Sequence, residues 1–128
     1  MTEVAKVIVY NSKNECLLQL REDNPNIEFP LHWNLLGRVV EESDTPINAA
    51  RRELLKALGV YIENPKLFRV QNNDGIKQHI FAVKLDMKPS EFHLGEGIEV
   101  KWFTEAEINT AKIAFNYRGV LKEFLGGK

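Results

Sequence analysis

Apolar and polar positions alternate along this chain with two different periods. Residues 4–10 (VAKVIVY) are rich in β-branched side chains and predict a strand. Asn11-Ser12-Lys13-Asn14 is turn chemistry, and residues 15–21 (ECLLQLR) predict a second strand, so the two form a hairpin. Residues 22–31 are polar, hold Pro25 and Pro30, and predict a loop. A short apolar piece at 32–36 is broken by Gly37 and resumes at Val39-Val40. The clearest helix covers 46–58. Thr45 is a suitable N-cap, Pro46 suits the first helical position, and Gly59 closes the C-terminus. Ile47, Ala50, Leu54 and Leu58 form its apolar stripe.

Beyond the helix, residues 67–71 and 76–87 predict two strands joined at Asn72-Asn73-Asp74-Gly75, a strong hairpin turn. Residues 88–97 predict a loop, and 98–103 (IEVKWF) alternate as a further strand. Thr104 and Glu107 have the spacing of a capping box opening a short helix, and residues 114–125 predict a final helix. No repeat, linker or low-complexity segment divides the order. It predicts one domain over 1–128, of mixed α/β (α+β) class, with a mixed sheet sandwiched between helices.

Charge and composition narrow the function. A net charge of −1, with no basic run, gives nothing that points to nucleic acid or to an anionic membrane. Cys16 is the single cysteine, so no intrachain disulfide forms, and its apolar setting reads as core rather than nucleophile. The N-terminus lacks signal-peptide features and no apolar stretch is long enough to span a bilayer, which predicts a cytoplasmic protein. His32, His79 and His93 lack metal-ligand spacing, which argues against zinc.

Residues 37–60 read GRVVEESDTPINAARRELLKALGV. This segment resembles the box of the Nudix hydrolase family, G-x5-E-x7-R-E-U-x-E-E-x-G-U with U aliphatic. Arg52, Glu53, Leu54, Gly59 and Val60 match it, and Gly37, Glu41, Thr45-Pro46 and Ala49-Ala50 are its common companions. His32-Trp33-Asn34-Leu35 resembles the lead-in to that box, and Glu96-Gly97 followed by Trp102-Phe103 resembles the family's late strand. The resemblance implies the Nudix fold and hydrolysis of a nucleoside diphosphate linked to a second group X, assisted by magnesium or manganese. The ligand expected is a nucleotide or nucleotide sugar, and a homodimer is expected from the family's habit.

The departures fall on the chemistry. The first glycine of the box is Arg38, its first glutamate is Asp44, and its last two glutamates are Lys56 and Ala57. Positions 53, 56 and 57 share one helix face. Three carboxylates there would repel one another unless divalent cations neutralised them, and magnesium takes such hard oxygen ligands. Two unit charges about 4 Å apart at an effective dielectric near 20 interact by roughly 4 kcal/mol, so the Lys56 ammonium would repel a dication by about twice that. Magnesium is therefore expected to be weakly bound or absent, and activity weak.

Three readings of this face stay open. One metal binds through Glu53, the Gly37 carbonyl and Asp44, or acids such as Glu41, Glu96 or Glu99. Alternatively Lys56 contacts phosphate in the metal's place. In the third reading the site is inactive, Glu53 and Lys56 form a surface pair, and the domain is a nucleotide-binding or regulatory module. As the resemblance implies, Arg52 orients Glu53 and the loop before the helix, and Glu96 is the candidate general base in a flexible loop. Arg21 and Arg38 are phosphate-binding candidates, each against a plainer role as a solvated or loop-filling arginine. Asn116 is a candidate reader of the base.

Overall fold

The structure is a computed structural model, and it describes residues 2–127. Strand β1 (Thr2–Tyr10) is the axis of the molecule. It pairs in parallel with β6 (Ile76–Lys84) along its whole length, and β6 pairs antiparallel with β5 (Lys66–Asn73) at the sheet edge. The other side of β1 is shared. Val4 to Val7 pair with β4 (Leu36–Val39), whereas Val9 and Tyr10 pair with β2 (Cys16–Leu20). β2 in turn pairs with β3 (Trp33–Asn34) and β7 (Val100–Phe103), completing a seven-stranded mixed sheet.

Because successive side chains of a strand point to opposite faces, β1 feeds two cores. Ala5, Val7 and Val9 pack with Leu54, Ala57 and Leu58 of α1 (Pro46–Leu58). Ile8 packs on the other face with Ile108 of α2 (Glu105–Thr110) and with Tyr117 and Leu121 of α3 (Tyr117–Gly126). The mixed, helix-sandwiched sheet expected from the sequence is thus present. No helix is long and apolar enough to cross a membrane among the described residues.

Helix α1 has the bounds its punctuation predicts. Thr45 Oγ1 accepts from the Asn48 amide at 3.3 Å, and Gly59 takes the left-handed conformation, with φ of 70°. Other boundaries differ. Gly37 does not break a strand but lies inside β4, and the interruption falls at Leu35, between β3 and β4. The last helix begins at Tyr117 rather than at 114, because Phe115 has φ of 55° and residues 113–114 join β3. The Trp33 amide donates to the Lys112 carbonyl and Ala114 donates back to Trp33, an interaction between distant segments that no local pattern announces.

Candidate functional site

A cleft opens where β1 changes partner, between β4 on one side and β2 with the loop before β7 on the other. It has two lobes that share Gln19, Gly37, Glu96 and Ile98 as walls. The outer lobe, of about 370 Å³, meets the α1 face through Arg38, Glu53, Lys56 and Ala57. The inner lobe, of about 640 Å³, reaches Lys6, Arg21, Glu22, Ile27 and Asn34. The matched box helix therefore looks into a cavity of ligand size.

Glu53 is buried, with 10% of its side chain exposed, and its Oε1 accepts from Arg38 Nε at 3.3 Å. Burial raises its pKa above the ordinary carboxylate value, opposed by the Arg38 hydrogen bond and charge, by the Gly37 backbone and by Lys56. Lys56 is exposed and makes no ion pair among the described residues.

Arg52 does not orient Glu53 directly. Its guanidinium lies 3.2 Å from Asp44 in the loop before α1, and Asp44 also accepts the Thr45 amide at 2.8 Å. The expected arginine role is thus divided: Arg52 fixes the loop through Asp44, and Arg38 holds Glu53. Asp44 is turned to its arginine and is not among the cleft walls.

Glu96 is exposed on the rim of both lobes. Its loop is not free. His93 and Gly95 donate their amides to the carbonyls of Leu58 and Ala57, each at 3.0 Å, and so satisfy the last turn of α1. A Cβ at Gly95 would lie 2.7 Å from the Lys56 carbonyl, so only glycine allows this approach.

Arg21 and Arg38 both line the cleft. Asn116 does not: it is exposed at the start of α3, and its Oδ1 accepts from Gln71 at 3.3 Å. Lys6 and Asn34 are among the cleft residues that sequence reasoning did not give as site candidates. Lys6 extends from β1 into the inner lobe, and Asn34 is buried there with no hydrogen-bond partner for its Oδ1 among the described residues. The available signal for the first was a lone lysine inside the apolar run VAKVIVY.

A family profile described as NUDIX domain matches residues 2–124. The chain belongs to the NUDIX family. Solved structures agree with this at the level of fold. A NUDIX hydrolase from Nitrosomonas europaea is 25% identical, with 99% of this chain and 71% of that one covered and a TM-score of 0.77. MutT, studied from Aliivibrio salmonicida and Vibrio cholerae, is 20% identical, with 99% and 98% covered and a TM-score of 0.81. The NUDIX domain of Shewanella oneidensis NrtR, complexed with ADP ribose, is 14% identical, with 98% and 86% covered and a TM-score of 0.79. No curated protein matches the chain in sequence.

NUDIX enzymes generally use divalent metals, and the donors present here fit one poorly. Among the described residues no three His, Cys, Asp or Glu side chains are grouped to hold a metal ion. Glu53 already faces a guanidinium, Asp44 is held by Arg52, and a fixed ammonium stands at Lys56. Of the expected metal set Glu53, Gly37 and Asp44, the two carboxylates each face a guanidinium, Glu53 that of Arg38 and Asp44 that of Arg52.

Proposed function

We propose that this NUDIX domain binds a nucleoside diphosphate linked to a group X in the two-lobed cleft and hydrolyses its phosphoanhydride slowly. The observation that carries this reading is that the box face of α1 opens on a cavity lobe walled by Arg38 and Lys56. Fixed cations suit a diphosphate, and Arg in particular matches phosphate oxygens with a planar fork of donors. The ADP ribose bound to the NrtR domain is a ligand of this chemical class.

In the reaction proposed, Arg38 and Lys56 neutralise the diphosphate and Glu96 takes a proton from an attacking water. Water oxygen bonds to one phosphorus, the bridging P–O bond breaks, and the products are two phosphate monoesters. A second reading, binding without hydrolysis, is favoured by the Arg38–Glu53 pair, which occupies the box carboxylate.

Chromatographic release of nucleoside monophosphate from ADP ribose and a panel of nucleotide sugars, with magnesium and with chelator, tests the proposal. Slow release is expected, equal in both conditions and reduced about 10²-fold by Glu96→Gln. Release that requires magnesium would overturn the metal-free step. Binding without release would leave the second reading, and absence of both binding and release would end both.

A further inference from the structure

Lys6 belongs to the row Lys6, Ile8 and Tyr10 on the β1 face turned toward α3. Its ammonium lies over the Tyr117 ring, 5.6 Å from the centroid. Arg21, next after β2, has its guanidinium over Phe115, 5.4 Å from that centroid. The two rings are neighbours, with centroids 5.7 Å apart. Two cations thus stand side by side on adjoining aromatic supports, and both line the inner lobe.

Neither cation makes an ion pair among the described residues. Glu53, whose charge reaches Lys6, is engaged by Arg38, while Glu22 and Glu96 are exposed at the rim. The fold also makes room for this lysine. A Cβ on Gly37 would sit 2.3 Å from Lys6 Cδ and 3.0 Å from its Cε, so the lysine stem passes where a side chain would otherwise be. Desolvation, and then the charge of Arg21, push the Lys6 pKa down to about 8.

Desolvating a cation beside a second cation, without a counter-ion, costs free energy that an apolar residue at the same position would not. A bound anion removes that cost. Two fixed cations match a dianion better than a single carboxylate. The Asn34 Oδ1 in the same wall, without a partner among the described residues, still needs a donor, which a sugar hydroxyl beside a phosphate supplies.

We infer that the inner lobe binds a phosphate monoester between Lys6 and Arg21, so that the ligand carries a terminal phosphate besides the diphosphate assigned to the α1 face. This deepens the proposed function and rests on it for the diphosphate alone.

Thermal melting of the full chain in inorganic phosphate, compared with chloride and acetate at equal ionic strength, tests it without any hydrolysis. A site with a Kd of about 10 mM raises the melting temperature by about 3–5 °C in roughly 50 mM phosphate, and one of about 1 mM by roughly 8–9 °C. That rise is expected in the wild type and in Lys66→Met, an exposed control on β5. It is expected to vanish in Lys6→Met and in Arg21→Gln, and should either variant fail to melt cooperatively, the other decides. No phosphate-specific rise in the wild type, a rise that survives in a folded variant, or an equal rise in acetate overturns the assignment. Loss of nucleotide release with the phosphate response intact would remove the proposed hydrolysis alone.

Discussion

Lys6 makes opposite demands on stability and on binding. Its pKa falls from 10.5 to about 8 in the folded chain, so between those values the unfolded state holds more protons than the native one. Stability from this group therefore rises as pH increases through that window, and at neutral pH the lysine is a liability. After discounting for solvent screening the liability is about 1–2 kcal/mol, and Lys6→Met is expected to raise the melting temperature at pH 7 by roughly 4–8 °C, a gain that shrinks as pH rises from about 8 to 10.5. Differential scanning calorimetry across pH checks this, and an unchanged or lowered melting temperature at pH 7 would refute it. At this scale the sequence told less than it held. Glu53, Arg38 and Arg21 were legible as cleft residues because the box and its flanks locate them. Which arginine meets Glu53 was not, because Arg38 lies on a strand and Arg52 on a helix, and only their packing decides the partner. Lys6 escaped because a strand's alternation does not say which of its faces borders a cavity.

The C-terminus of helix α1 and the loop before β7 are in close contact. Gly59 combines φ of 70° with a Cβ direction that ends 2.6 Å from the Cβ of His93. Gly59→Ala therefore meets both a backbone penalty of about 1 kcal/mol and a steric one, and is expected to cost about 2–3 kcal/mol, read from the urea midpoint. A loss below 0.5 kcal/mol, on the order of an ordinary surface change, would contradict that geometry. This helix was fully legible, since its cap, its apolar stripe and its closing glycine are all local signals. The short strands were not. Leu36–Val39 is a strand because β1 offers it partners, and the delay of α3 to Tyr117 follows from the bridge between Trp33 and Ile113. Both depend on contacts between segments far apart in the chain.

Across the whole molecule, a NUDIX scaffold carries a cleft in which carboxylates meet arginines. The sheet, the box helix and the cleft are in place, and Glu53 and Asp44 face the guanidinium groups of Arg38 and Arg52. Because this charge pattern resides in side chains, it is expected to be open to change without loss of the fold. In Arg38→Gly with Lys56→Glu, two carboxylates at i, i+3 on α1 would face Glu96 across the outer lobe. Calorimetry is expected to show magnesium binding at millimolar concentration or tighter in that variant and none in the parent. A natively folded double variant that ignores magnesium would mean that the outer lobe is shaped against metal as well as charged against it. The amide bonds from His93 and Gly95 to the end of α1 carry a further consequence for motion. Since the wall bearing Glu96 is anchored to the helix, it can swing only if that helix frays. The opposite wall, the segment from Glu22 to Leu31, has no such tie to α1 among the described residues and is held to Arg21 through the Glu28 carbonyl, so the two walls rest on different parts of the fold.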